Sequence, residues 1–256
     1  MFLFLIAVLL LVGCGENPVK PVLLERDVVI ESHADIALLQ AEGPAYIIDG
    51  DLQIVGSDLS ALVGLEGLQR VEGSVEIWFN EHLESLKGLE SLTSVGAGLG
   101  SALAPPPGPY PAAGKTVHVV EGLMIFRNEV LSNLEGLESL DFVGGGLSIV
   151  NNPSLTSLTP LKKLEKIAGS LDIWHNGVLE TLAGLDHLLR VRDYLEVSGN
   201  GALSNIEGLR GVNYVGADLI ITNNTLLPNF MARGFAERLA ANGSVGAVLI
   251  EGNQAD

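Results

Sequence analysis

The stretch "GSLDIWHNGVLETLAGLDHLLRV", Gly169 to Val191, is one copy of a unit that recurs along most of this chain. Each copy fits the pattern LxIxxNxxLxxLxGLxxLxxV, and the period is 24 residues. The start of the unit alternates apolar and polar residues, which is typical of a half-buried strand. The rest places Leu at about every third residue, which suits tight turns or 3₁₀-like segments. The aliphatic strand marker recurs as Ile77, Ile125, Ile149, Ile173, Val197 and Ile221.

The repeat predicts a solenoid, because one coil cannot bury its apolar side alone and neighbouring coils must share a core. We therefore expect a mainly β solenoid of about 24-residue coils. The stretch "VVIESHADIALLQ" predicts an incomplete first coil that covers one end of the core. At the other end, "PNFMARGFAERLAANGS" breaks the period and spaces Met231, Phe235 and Leu239 for one helical face, which predicts a short capping helix.

An asparagine follows each strand marker by three residues. A stack of Asn side chains at an inward bend can satisfy peptide groups that the turn leaves unpaired, since each amide has two donors and an acceptor. We predict a structural asparagine ladder made of Asn80, Asn128, Asn152, Asn176, Asn200, Asn224 and Asn253.

The repeats resemble the receptor L-domain family of leucine-rich repeat proteins, over about residues 28–253. The resemblance rests on the LxIxxN motif, on the terminal "GAVLIEGN", and on GL pairs at Leu89, Leu137, Leu185 and Leu209. It implies a right-handed superhelix with a parallel sheet along one side. It also implies binding of a ligand or partner rather than catalysis.

The N-terminal stretch "MFLFLIAVLLLVGCG" is suited to a signal-peptide core and too short for a stable membrane anchor. Its residues "LVGC" resemble the bacterial lipobox, which implies cleavage before Cys14 and lipid on that residue. We expect a signal peptide at 1–13, a lipidated tether at 14–27 and the repeat domain at 28–256. Gly15 favours the outer membrane by resemblance to the enterobacterial sorting rule. The alternative is a buried N-terminal strand with a free thiol.

The stretch "GSALAPPPGPYPAAGK", residues 100–115, holds five of the eleven prolines of the chain. Because Leu99 and Val119 keep the period, we expect one coil whose variable part is a stiff, partly polyproline II loop. Such a loop is either a tolerated surface insertion or a recognition loop.

Aromatic residues occupy the position after the marker in three copies. Successive side chains of a strand alternate faces, so these residues are expected on the outer sheet surface, in alternate coils about 10 Å apart. Exposed rings rimmed by polar groups mark interaction sites, although aromatic residues can also simply shield a sheet. The predicted ligand-binding residues are Trp78, Phe126 and Trp174, with Phe79, Arg127, Asn151 and His175 beside them.

The charge balance and the motifs limit the classes of function that the chain could have. Thirty-one acidic and 14 basic residues give a net charge of −17, which disfavours nucleic acid as a partner. Asp172, Glu196 and Glu76 share one outward column and are expected to be solvated. We find no catalytic motif, no metal-ligand spacing among the histidines and no sign of a cofactor.

We therefore expect a lipid-anchored cell-envelope protein that binds the membrane through Cys14 and recognises an envelope protein or glycan without catalysis. One alternative is a polysaccharide lyase or hydrolase, which needs Lys, Arg and acidic residues clustered on one face, whereas only Arg127 lies near the expected strands. The other alternative is a structural spacer of the envelope, favoured if the proline-rich loop proves to cover the aromatic residues.

Overall fold

Parallel strands stacked coil upon coil form the body of the protein. The computed structural model describes residues 20–96 and 122–256. In this part of the chain, each coil adds one strand to a nine-stranded parallel sheet and, in most coils, one to an eight-stranded parallel sheet. We call them the long sheet and the short sheet. The predicted β solenoid of about 24-residue coils is confirmed, and the short sheet is an addition to the one sheet that was expected.

The strands of the long sheet coincide with the LxI part of the repeat. They are β2 (Val28–Ile30), β4 (Leu52–Val55), β6 (Val75–Trp78), β8 (Gly122–Phe126), β10 (Gly146–Val150), β12 (Leu171–Trp174), β14 (Leu195–Ser198), β16 (Leu219–Thr222) and β17 (Val248–Glu251).

The strands of the short sheet begin just before the last Val or Ile of each repeat. They are β1 (Val22–Leu24), β3 (Tyr46–Ile48), β5 (Leu68–Val71), β7 (Ser94–Val95), β9 (Phe142–Val143), β11 (Lys166–Ile167), β13 (Arg190–Val191) and β15 (Tyr214–Val215).

The core lies between the two sheets and consists of aliphatic residues repeated at the same positions of successive coils. In the coil that follows β12, Leu179, Leu182, Leu185 and Leu188 are all fully buried. The glycine of each GL pair permits close contact between coils. At Gly136, φ is +111° and an added Cβ would lie 2.0 Å from the Leu86 carbonyl oxygen. A side chain is therefore excluded at this turn by both the backbone conformation and the neighbouring coil.

Two helices lie near the ends of the stack. Helix α1 (His33–Gln40) begins with a capping box in which Ser32 and Asp35 bond each other's backbone N–H groups, and it buries Ile36 and Leu39. Helix α2 (Asn229–Ala241) buries Phe235 and Leu239 and is the expected C-terminal helix. In the described ranges, 20–96 and 122–256, no helix has the length and apolarity needed to span a membrane.

The repeat domain begins earlier than expected. Val22–Leu24 form β1, which pairs with β3, so the short sheet starts six residues before the predicted domain boundary at residue 28. The last residues of the predicted tether therefore belong to the fold. The expected signal peptide, the lipidated Cys14 and the proline-rich loop at 100–115 lie outside the described residues.

Strands β6 and β8 are neighbours in the long sheet, which corrects the expectation of a separate coil between them. Strand β6 pairs directly with β8, with Ile77 opposite Ile125, and β7 pairs directly with β9. Consecutive coils of the stack are thus 48 residues apart at this point. An insertion as long as one period leaves the sequence register unchanged, so periodicity could not distinguish it from a coil.

Candidate binding site

From β6 onward, the bend after each strand of the long sheet is fixed by the asparagine ladder, and Ser57 takes the equivalent position after β4. Within the ladder, Asn176 Nδ2 donates to the Ile149 carbonyl at 2.9 Å, and Asn176 Oδ1 accepts from the Asn152 N–H at 3.1 Å. The same two bonds repeat from coil to coil, and the six members from Asn80 to Asn224 have no solvent exposure. The column runs on to Asn253, whose Nδ2 donates to the Ile221 carbonyl at 2.8 Å.

One residue before each ladder position, the backbone enters the left-handed region. This conformation turns the chain so that the next side chain points into the core. The eight residues at this bend, which we call the corner row, are Gly56, Phe79, Arg127, Asn151, His175, Gly199, Asn223 and Gly252, with φ between +53° and +68°.

Three of the eight corner-row residues are of types that rarely adopt this backbone conformation. Glycine occupies three of the eight positions and asparagine two, and both residue types adopt this conformation readily. Phe79, Arg127 and His175 do not, and each costs roughly 1–2 kcal/mol there. Strain of this kind clusters at functional sites. The three side chains are also accessible, since Phe79 and His175 are exposed and Arg127 is half-buried.

The expected exposed aromatic surface is not available to solvent. Trp78, Phe126 and Trp174 lie on the outer face of the long sheet, as alternation predicts, but they are only 8%, 1% and 6% exposed. With Met124 and Val150 they form a buried apolar cluster separate from the solenoid core, which we call the outer cluster. The prediction that these rings face solvent was wrong, because strand alternation determines the face of a side chain but not whether that face is covered.

The spacing of the aromatic residues also differs from the expectation. Trp78 is directly opposite Phe126 on adjacent strands, because the 48-position separation between them includes the insertion. Phe126 and Trp174 are two strands apart, with Val150 between them. The residues therefore lie in one line, with unequal steps of one and two strand spacings.

The corner row packs along the edge of the outer cluster. The Phe79 ring centroid is 5.3 Å from that of Trp78 and 5.6 Å from that of Phe126. The Arg127 Cζ lies 5.4 Å from the Phe79 centroid and 5.8 Å from the Phe126 centroid, within cation–π range. Arg127 forms no ion pair with any described residue. Within the described part of the chain, its charge is thus held in place by rings and is not neutralised by a carboxylate.

His175 lies over the next coil. Its ring centroid is 5.4 Å from that of Trp174. A Cβ added to Gly199 would lie 2.9 Å from two imidazole atoms, so the missing side chain at Gly199 provides the space that the ring occupies. Asn151 lies between Arg127 and His175 and is half-buried. The corner row thus presents a ring, a cation, an amide and an imidazole on consecutive coils about 4.8 Å apart.

The carboxylates of the outer sheet face are buried, contrary to the expectation of a solvated face. Glu76, Asp172 and Glu196 are 1%, 5% and 8% exposed. Burial raises the pKa of Glu76, and the charge of nearby Asp51 raises it further. A hydrogen bond from Gln53 Nε2 to the Glu76 carboxylate acts in the opposite direction and lowers the pKa. Glu76 Oε1 has no hydrogen-bond partner among the described residues. The Tyr194 hydroxyl donates to Asp172 Oδ2 at 3.1 Å, and burial followed by the Asp172 charge raises the pKa of this tyrosine.

Two features of the molecule were missed from the sequence. The left-handed corner could have been inferred from the glycines at positions 56, 199 and 252, which align with Phe79, Arg127 and His175 in the repeat. The statement that only Arg127 lies near the strands was also wrong, because Lys166 and Arg190 lie in β11 and β13 of the unexpected short sheet.

Within residues 20–96 and 122–256, no group of three His, Cys, Asp or Glu side chains is placed so that it could hold a metal ion. Comparisons of the chain with protein-family models, with curated proteins and with solved structures found no match.

Proposed function

We propose that this protein is a lipid-anchored binding protein of the bacterial cell envelope, similar to receptor L-domains, that recognises an envelope protein or glycan without catalysis. The single observation that supports the binding role most strongly is the left-handed conformation of Phe79, Arg127 and His175. Glycine at these positions would avoid the strain, and glycine is what other coils carry. A function for the three side chains explains why they are retained.

The contact surface in this proposal is the corner row and not the aromatic row expected from the sequence. Phe79 offers an exposed ring, and Arg127 offers a cation without an ion pair to any described residue. Asn151 and His175 offer adjustable hydrogen-bonding groups. Because these residues lie on consecutive coils, they suit a ligand that extends along the solenoid axis.

A binding array tests the corner row. The triple variant Phe79→Gly, Arg127→Gly and His175→Gly is compared with wild type on an array of glycans and envelope proteins. The variant is expected to lose the retained spots while keeping a cooperative unfolding transition. Asn223→Gly is the matched control, since it makes the same change at an equivalent bend outside the trio. Equal retention by the triple variant and wild type would contradict this use of the site.

The burial of the outer cluster favours a second candidate, a structural spacer of the envelope that has no ligand. A spacer predicts no specific retention of the wild-type protein on the array, whereas the binding role requires it.

The lipid anchor is tested separately. The lipobox-like "LVGC" is the support for lipid on Cys14, and Gly15 supports the outer membrane. Wild type is expected in the outer-membrane fraction, with processing blocked by globomycin, and Cys14→Ser is expected to be released. A wild-type protein found free of membranes would contradict the anchor.

A further inference from the structure

The outer face of the short sheet carries a line of rings and cations. The strand register places Phe142 opposite Lys166, Lys166 opposite Arg190, and Arg190 opposite Tyr214. We call these four residues the cation row. Each is followed by a core residue that is at most 1% exposed, while Lys166 and Arg190 are exposed and the two rings are half-buried. The row crosses four strands and is therefore about 14 Å long.

The cations of this row have no acidic partner among residues 20–96 and 122–256. Two like charges on neighbouring strands destabilise a sheet. Lys166 and Arg190 nevertheless form no ion pair with any described residue, and neither do the nearby Lys162, Lys163 and Arg192. Five of the 14 basic residues of the chain thus lie within residues 162–192, in a protein with 31 acidic residues. The five described ion pairs use Arg26, Arg70, Lys87, Arg210 and Arg233.

The rings orient the row toward a flat ligand. The Arg190 Cζ lies 4.5 Å from the Tyr214 ring centroid, so the guanidinium is held in place by the ring while its N–H groups can still bind a carboxylate. Two positions beyond the row, three of the four strands carry the small residues Gly144, Ala168 and Gly216. The fourth strand carries Arg192, which is exposed and adds another cation beside the row.

The shape of the charge distribution favours a linear ligand over a surface. Asp141 and Glu165 immediately precede Phe142 and Lys166 and are exposed. They would repel a broad anionic membrane lying on this face, but a narrow chain along the row meets mainly the cations and rings. Strands repeat at about 4.8 Å, a step comparable with one sugar unit of an extended polysaccharide.

We propose that the cation row binds a linear acidic polysaccharide, with its carboxylates on Lys166 and Arg190 and its sugar faces against Phe142 and Tyr214. This surface belongs to the short sheet and is separate from the corner row, which follows the strands of the long sheet. The inference therefore does not depend on the proposed function.

The test uses the full chain and oligogalacturonate, which carries one carboxylate per sugar, in titration calorimetry. Wild type is expected to bind, and the affinity is expected to fall as NaCl is raised. The double variant Lys166→Ala and Arg190→Ala is expected to bind at least about tenfold more weakly, since two charge-assisted contacts are lost. The control, Lys87→Ala with Arg233→Ala, removes the same charge elsewhere and should stay within about twofold. Thermal unfolding of both variants verifies that they are folded.

Other probes distinguish the ligand class. Equal binding by the double variant and wild type, or no binding by wild type at low salt, would overturn the proposal. If wild type binds phosphatidylglycerol vesicles more tightly than neutral vesicles and does not bind oligogalacturonate, the ligand is a lipid surface. That result would also overturn the proposal. Tighter binding of polyphosphate than of oligogalacturonate would show that charge alone is recognised and would remove the role of the rings.

Discussion

Asn128 Oδ1 accepts hydrogen bonds from both the backbone N–H of Asn80, at 3.3 Å, and its side-chain Nδ2, at 3.0 Å. The two residues are 48 positions apart in the chain, yet they are neighbours in the ladder. This pair shows that the ladder passes directly across the insertion, and that the stack of coils is held by polar contacts inside the bend as well as by leucines.

Loss of one ladder residue is expected to destabilise the fold. Asn176→Ala leaves the Ile149 carbonyl and the Asn152 N–H without their partners in a fully buried position. Each of the two orphaned groups costs about 1–3 kcal/mol, so a total loss of about 2–6 kcal/mol is expected in urea unfolding. Glu180→Ala, at an exposed position of the same coil, should change the free energy of unfolding by less than about 0.5 kcal/mol. Equal effects of the two substitutions would contradict a structural ladder.

Substitution at a GL turn is expected to be severe. Gly136→Ala introduces a Cβ 2.0 Å from the Leu86 carbonyl oxygen at a left-handed backbone position. Two coils must separate to accept it, and we expect a loss of more than about 3 kcal/mol or failure to fold. Gly177→Ala is the control, because no atom lies within 4 Å of its added Cβ. The comparison is made by thermal unfolding, and a stable Gly136→Ala protein would show that the coils can separate.

The strain in the corner row can be measured at His175. His175→Gly removes the left-handed penalty, so we expect the free energy of unfolding to rise by up to about 1 kcal/mol. His175→Ala keeps the penalty and loses the contact with Trp174, so no gain is expected. Chemical denaturation of the two variants separates backbone strain from side-chain packing. If His175→Ala raises the free energy of unfolding as much as His175→Gly does, backbone strain is not the cause of the increase.

Buried Glu76 predicts a pH-dependent stability. Its pKa in the folded protein is raised above the ordinary value of 4.5, chiefly by burial, so the folded state holds the proton more tightly than the unfolded state. The resulting stabilisation is fully present below pH 4.5 and is lost as the pH rises through the folded-state pKa. Glu76→Gln should therefore match wild type in acid and exceed it at neutral pH. Urea unfolding from acidic to neutral pH measures the difference in the free energy of unfolding between the two proteins. A wild type that is more stable than Glu76→Gln at neutral pH would contradict a buried, destabilised carboxylate.

The 24-residue period, the inward Leu and Ile positions and the C-terminal helix could all be predicted from the sequence. They are local patterns: alternation specifies a strand, and a coil with one apolar side can be satisfied only by stacking. The position of Asn176 three residues after Ile173 was enough to predict a ladder for the same reason, because every coil repeats it.

Tertiary structure alone decided which faces are covered and which coils are neighbours. Trp78 and Trp174 lie on the outer face of the long sheet, as the alternation of side chains predicts. Their burial depends on contacts across that face, and the residue pattern of a single strand carries no information on such contacts. The direct pairing of Ile77 with Ile125 depends on hydrogen bonds between segments 48 residues apart. Lys166 and Arg190 meet only because two-residue strands pair into a second sheet. The sequence period determines the local conformation of each coil. Contacts between segments distant in the sequence determine which side chains are covered and which residues become neighbours.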